Sequence, residues 1–163
     1  MLTIRRITHG ESQCYRELRL KSLQESPSAF GSTYADALTR SPESWVEQAD
    51  GSVSSHDRAT FIAFWREAPI GLAALYRMEA YPDIGELIQV WIDPEFRKKG
   101  VASALMDAVF VWAGANGFKQ ISAGIMAGNA GVMKFYQRYG FVTETGIILN
   151  CPGDAAVLIK DVK

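Results

Sequence analysis

Three cations in a row, Arg97, Lys98 and Lys99, run into Gly100 and then into an apolar segment, an order suited to holding an anion. Just upstream, the strand-like stretch Gln89-Val90-Trp91-Ile92 closes at Asp93-Pro94, where proline turns the chain. Val101-Ala102 then opens a helix. The free amides of a helix's first turn point outward with partial positive charge, so that end attracts phosphate. Gly100 lets a ligand approach the backbone where a side chain would obstruct it. Cations at a helix start oppose the helix dipole, so the reading as a merely solvated basic turn leaves their placement unexplained, whereas a bound anion accounts for it. Neither Gly-x-x-x-x-Gly-Lys-Ser/Thr nor Gly-x-Gly-x-x-Gly occurs, which ranks nucleotide triphosphatases and dinucleotide oxidoreductases low.

The rest of the composition narrows the ligand. A chain of 163 residues, 48% hydrophobic and 21% charged, is sized for one domain with a core of its own. Lys plus Arg number 17 against 18 Asp plus Glu, a formal charge of -1, so there is no footprint for long nucleic acid or an anionic membrane. Cys14 and Cys151 form no Cys-x-x-Cys pair, and His9 and His56 have no ligand spacing. The expectation is no metal, no disulfide framework and a reducing, cytoplasmic location. No apolar run approaches the roughly 20 residues of a membrane helix.

The elements that must position the turn can be read from periodicity. Leu2 to Ile7 reads as a strand, Glu11 to Gln24 as a helix stopped by Pro27, and Ser41-Pro42-Glu43 as the capped start of a second helix ending near Ala49. Thr60 to Arg66 and Ile70 to Arg77 read as strands joined at Glu67-Ala68-Pro69. Glu86 to Ile92 is apolar almost throughout, as a strand covered on both faces would be. A helix over Val101 to Ala115 comes next, then a strand from Ile121 to Met126 and a helix from Ala130 to Tyr139 ended by Gly140. Val142 to Asn150 and Ala155 to Val162 form a closing pair around Cys151-Pro152-Gly153-Asp154. Strand, helix and strand from Glu86 to Met126 imply a parallel pair. The fold class is α/β: one domain over 1–163, with a mixed, mostly antiparallel central sheet and helices on both faces.

With that order in place, Arg97-x-x-Gly100-x-Ala102 resembles the acetyl-coenzyme A signature of the GNAT superfamily of N-acetyltransferases. Its second half is similar too: Asn129-Ala130-Gly131-Val132-Met133-Lys134-Phe135-Tyr136, running on to Gly140-Phe141. The two motifs span Glu86 to Phe141, with Ala102 and Val132 as small departures from the family pattern. The resemblance implies acetyl transfer from acetyl-CoA to a primary amine by direct attack through a tetrahedral intermediate. It also implies that the amides of Lys98, Gly100, Val101 and Ala102 hold the pyrophosphate, with Arg97 and Lys99 assisting. The pantetheine arm would pair with the main chain of Val90 and Ile92 like an added strand, and the Val90 amide would meet the thioester oxygen.

Two alternatives accompany each remaining position. Asn129 matches a cofactor-binding position and is equally a helix N-cap. Tyr136 matches the general acid that protonates the departing thiolate, and is otherwise a core aromatic. Glu86 is the candidate base, or a solvated strand glutamate; an unbroken strand would put it on the face of Val90 but roughly 13 Å away, unless a bulge or water chain intervenes. Phe30 and Tyr34, with Trp45, Tyr76 and Tyr81, either line an apolar acceptor slot or are ordinary core. The expected partner is a small-molecule amine, with a protein or peptide amine and a non-catalytic acyl-CoA sensor as alternatives; a homodimer stays open.

Overall fold

The computed structural model describes residues 1–27, 30, 32–125, 129–144 and 156–163. Seven strands form one sheet: β1 (Leu2–Arg6), β2 (Arg58–Trp65), β3 (Ala68–Arg77), β4 (Ile84–Ile92), β5 (Gln120–Ile125), β6 (Val142–Thr143) and β7 (Ala156–Asp161). Their order is β1-β2-β3-β4-β5-β7-β6. Every neighbouring pair is antiparallel except β4 with β5, the parallel pair expected from the strand–helix–strand segment. The helices are α1 (Ser12–Glu25), α2 (Tyr34–Leu38), α3 (Pro42–Asp50), α4 (Val101–Ala115) and α5 (Ala130–Tyr139).

Alternation along β2 and β3 splits their side chains between two cores. Ile62, Phe64 and Leu72 face Tyr15, Leu18, Leu23 and Trp45 from α1 and α3. Ala59, Phe61, Ala63, Ala73 and Leu75 face α4 and α5. The small alanines let α4 lie close to the sheet. Val101, Leu105, Val109 and Ala113 recur every fourth residue on α4, and each is at most 4% exposed. Helices therefore cover both faces, as the sequence implies. Among the described residues no helix is long and apolar enough to cross a membrane.

Caps explain the boundaries. Ser41 accepts a hydrogen bond from the Ser44 amide at 3.2 Å, with Pro42 in the first turn of α3. The short α2 was not read from the sequence; its signal is Thr33, whose side chain accepts from the Asp36 amide at 3.1 Å. The β2–β3 connection also differs from expectation. It is a tight turn at Arg66-Glu67, with Arg66 at φ 58, and Pro69 lies inside β3 opposite Phe64, where the register shifts. A proline cannot donate to a ladder, so an irregular position is where a paired strand tolerates it. The expected strand end at Met126, the 145–150 part of Val142–Asn150 and the Cys151–Asp154 turn lie outside the described residues.

Leu105→Ala should lower unfolding stability by about 2–5 kcal/mol through the cavity it leaves. Val111→Ala, at a position 75% exposed, should change it by no more than about 0.5 kcal/mol. Chemical denaturation measures both. The Arg5 guanidinium, hydrogen-bonded to Glu11 at 2.8 Å, pulls the Glu11 carboxyl down to about 2 from 4.5. A depressed acid stabilises the fold above its unfolded pKa and loses that contribution as pH falls through the folded one. Glu11→Gln should therefore flatten the stability–pH curve between about pH 4.5 and 2.

Candidate active site

The parallel ladder between β4 and β5 runs from Ile84↔Gln120 to Leu87↔Ala123 and stops there. Both strands continue, β4 to Ile92 against β3 and β5 to Ile125 against β7, so the sheet opens between them. Within this stretch Ala73 faces both Gln89 and Val90, because the register slips between Leu72↔Trp91 and Ala74↔Ile88. Gln89 takes up the extra residue at φ 60, a β-bulge that bends the strand and re-aims the residues beyond it. A left-handed conformation costs a non-glycine residue roughly 1–2 kcal/mol. Gln89 is held in it by Tyr15 of α1, whose hydroxyl donates to Gln89 Oε1 at 2.7 Å. Burial pushes the Tyr15 phenol up to about 12, so the donor stays neutral.

The bulge corrects one expectation. Glu86 pairs with Tyr76 and Ile88 with Ala74, which places them on the α1–α3 side of the sheet with Leu72 and Trp91. Val90 packs against the other core. Glu86 and Val90 therefore lie on opposite faces, since the inserted residue reverses the alternation. Gln89 and Val90, beyond the end of the ladder, are only half-buried, and Glu86, within it, is exposed, so β4 is not covered on both faces throughout. Beyond the bulge, the Asp93 amide donates to the Ile70 carbonyl at 2.8 Å. Antiparallel alternation then turns the main chain of Ile92, and of Val90 before it, away from β3 and towards the opening.

At the end of β4 the chain makes a 3-10 turn, Pro94–Phe96, capped by Asp93, whose Oδ1 accepts from the Glu95 amide at 3.0 Å. Lys21 holds the other Asp93 oxygen at 2.5 Å. Lys98 at φ 61 and Gly100 at φ 83 then swing the backbone into α4. That helix has no side-chain cap and no acid in its first turn, so its leading amides are unclaimed. A Cβ built on Gly100 would meet no atom within 4 Å; the space in front of the turn is open.

The three cations do not share one role. Arg97 Nε donates to the Ile92 carbonyl at 2.9 Å, and its Nη2 is bound by the Glu25 carboxylate. Glu25 also accepts from Trp91 Nε1 at 2.9 Å. Burial alone would raise the Glu25 carboxyl, but hydrogen bonds from Ser26, Trp91 and Arg97 together hold it below its ordinary value. Arg97 thus fastens the turn to α1, whereas Lys98 and Lys99 make no ion pair among the described residues, and Lys99 rests over the Phe96 ring at 5.7 Å. Sequence proximity could not show this, because Glu25 is far away along the chain.

In the core that α4 and α5 share, Tyr136 of α5 is 5% exposed, with its ring edge-on to Phe135 and Phe141 at 5.5 and 5.1 Å. Its hydroxyl has no hydrogen-bond partner among the described residues, and burial raises it above the ordinary 10.0. Asn129 stands at the N-cap of α5, its carbonyl accepting from the Met133 amide at 3.0 Å, but its side chain makes no capping bond. Phe30 and Tyr34 are half-buried against the α1–α3 core, and Trp45 is core at 2% exposure. Tyr76, with Ser44, Glu47, Gln48 and Arg58, lines a cleft of about 310 Å³. The sequence reading missed Gln89 and Tyr15. Gln89 carried a signal, as the one amide in the apolar Leu87–Ile92 run.

The acetyltransferase (GNAT) family matches residues 18–141. An uncharacterized N-acetyltransferase of Methanocaldococcus jannaschii is 29% identical over 59 residues, 36% of this chain and 26% of that protein, so the match spans about a quarter of that curated relative. A GNAT-family acetyltransferase from Streptococcus pneumoniae superposes with TM-score 0.80 over 100% of both chains at 19% identity. A ribosomal-protein alpha-N-acetyltransferase solved with coenzyme A superposes with TM-score 0.74, over 99% of this chain and 94% of that one, at 15% identity. At such identities the two structures share the fold.

Substitution at Gly100 separates the backbone's needs from the ligand's. Gly100→Asn, tolerant of a left-handed φ, should leave stability nearly unchanged, and Gly100→Val should cost about 1–2 kcal/mol. If a diphosphate uses this open approach, both should weaken coenzyme A binding roughly tenfold or more, about 1.4 kcal/mol, as read by calorimetry.

Proposed function

The chain belongs to the acetyltransferase (GNAT) family, and from that premise we propose that it transfers an acetyl group from acetyl-CoA to the primary amine of a small molecule. The observation that carries the proposal is the early end of the β4–β5 ladder, directly before an uncapped helix start. Such an opening offers a ligand two things at once: unpaired strand groups for an amide-bearing arm and free helix amides for a diphosphate. The residues fit acetyl-CoA on their own terms, since the turn at Gly100 is open and α4 begins without an acid to repel phosphate.

In this reading the amides of Gly100, Val101 and Ala102 and the free ammonium groups of Lys98 and Lys99 hold the pyrophosphate. Arg97 shapes the turn through Glu25 and Ile92 and adds its remaining donors. Ile92 and Val90 bind the arm, and the Val90 amide stabilises the thioester oxygen as it gains charge. The Asn129 amide, unused as a cap, is available to the cofactor. Bound there, acetyl-CoA supplies an activated acetyl group for direct attack by the amine.

Proton handling divides between the two faces of the sheet. Tyr136 stays protonated in its apolar setting, and a neutral phenol is what a departing thiolate needs. Its packed ring and its donor role are compatible, because the hydroxyl alone must reach the opening. Glu86 is exposed on the α1–α3 face, where an acceptor amine would approach. It takes the amine's proton through water, since Val90 lies on the other face.

Thiol release on incubation with acetyl-CoA and a panel of small amines and short peptides tests the proposal. Cofactor binding without release on any amine would identify a sensor instead, and release on peptides alone would move the acceptor to proteins. Tyr136→Phe should lower kcat roughly a hundredfold or more while coenzyme A affinity stays within about twofold. With the phenol held above 10.0, the wild-type rate should show no loss assignable to Tyr136 below that pH.

A further inference from the structure

Arg19 lies on the buried face of α1 with 6% of its surface exposed, and no carboxylate pairs with it among the described residues. A guanidinium carries five N–H donors. The structure gives this one a single acceptor, Ser22 Oγ at 3.4 Å, long for a hydrogen bond. The Phe30 ring lies under the charge at 5.1 Å. Burial lowers its pKa, and the neighbouring positive charge of Arg40 lowers it further.

Arg40 is in the same position. Its Nε and Nη2 donate to the hydroxyl and carbonyl of Ser44 at 3.0 and 3.1 Å, and its guanidinium rests 3.8 Å from the Trp45 ring centroid. It too has no acidic partner among the described residues. Elsewhere the fold supplies either an acid, as Glu11 to Arg5, Asp93 to Lys21, Asp57 to Arg77 and Glu25 to Arg97, or several carbonyls, as for Arg6, which donates to those of Ser52, Ser55 and Arg58 at 2.9, 2.7 and 3.0 Å. Arg19 has neither among the described residues. Two neighbouring cations, one of them buried, cost free energy that the Ser44 hydrogen bonds and the Phe30 and Trp45 rings offset only in part, because most of the Arg19 donors have no acceptor among the described residues.

Their place in the fold says what would return it. Arg19 and Tyr15 are one turn apart on α1 and share a face. The Tyr15 ring meets Trp45 edge-on at 5.8 Å, and Trp45 carries Arg40. Tyr15 in turn holds Gln89, the residue before Val90 at the opening of the sheet. The arginines therefore flank the acceptor face, away from the α4 turn and its lysines.

We infer that Arg19 and Arg40 bind an anionic group of the acceptor, so the acceptor is an amine that also carries a carboxylate or a phosphate. This rests on the acetyl-transfer reading above and names its substrate class. A planar guanidinium fork matches either anion through paired hydrogen bonds. The surrounding Tyr15, Phe30 and Trp45 rings keep water from weakening that contact. A neutral analogue would leave both cations unpaired, which makes the site discriminate as well as bind.

Calorimetry on the full chain, with and without coenzyme A, tests the assignment using matched probes: each amino acid against its carboxamide, and ethanolamine phosphate against ethanolamine. At least one anionic probe should bind tenfold or more tighter than its neutral partner, and its identity distinguishes carboxylate from phosphate. Arg19→Gln and Arg40→Gln should each abolish that preference while coenzyme A affinity holds. Should Arg19→Gln fail to fold, Arg19→Lys, which keeps the charge but not the fork, should retain only part of it. A preference below twofold across every pair, or one that survives both glutamine substitutions, overturns the inference. Absent coenzyme A binding by the wild type would instead count against acetyl transfer, and the amine titrations run without cofactor would still decide the arginines.

Discussion

A strand that leaves its neighbour partway must be prevented from closing up again, and this constraint organises the whole site. β4 is fixed by β3 along its length and β5 by β7, so neither can swing across the gap beyond Leu87 and Ala123. The bulge at Gln89 then breaks the regular spacing that a resumed ladder would need. Main-chain groups left without a partner cost roughly 1–3 kcal/mol each where water is excluded. The gap stays half-open to water, and a ligand that lies along it as a surrogate strand would replace that water with main-chain hydrogen bonds.

One helix holds the gap's far edge in place. From α1, Tyr15 reaches Gln89, Lys21 reaches Asp93, and Glu25 reaches both Trp91 and Arg97. The outer ties are solvent-exposed: Lys21 is 59% and Arg97 44% exposed, so each pair contributes no more than about 1 kcal/mol. The buried Tyr15–Gln89 bond carries more per contact, because breaking it would leave a polar group stranded in the core. Their combined effect is positional. They set where β4 ends and how the chain enters α4, and that decides where the free amides point.

Much of this was legible in the sequence, and the rest was hidden for physical reasons. The limits of α4 and α5 are set by glycine and the residues beside it, both local signals. The turn into α4 was legible because its cations and Gly100 are contiguous. The bulge was not, since a period of two carries no mark of one inserted residue, and Glu86 was placed on the wrong face as a result. Nor was the tie from Arg97 to Glu25, because long-range pairing leaves no trace in spacing. Pro69 misled in the other direction: it reads as a turn, yet a register shift accommodates it inside β3.

The sheet also divides the chemistry. One core, under α4 and α5, holds Tyr136 and the side chains behind the turn at 97–100; the other, under α1 and α3, holds Tyr15 and Trp45, with Arg19 and Arg40 against its aromatic rings. A continuous sheet would keep these apart, and the proposed reading puts the proton donor for the thiolate on one face and the seat for the acceptor on the other. The ladder between β4 and β5 ends past Leu87, and in the proposal that is where donor and acceptor meet. On that proposal the two faces can be tuned separately: residues around Arg19 and Arg40 change with the acceptor, while the α4 turn and Tyr136 stay fixed by a donor that does not change.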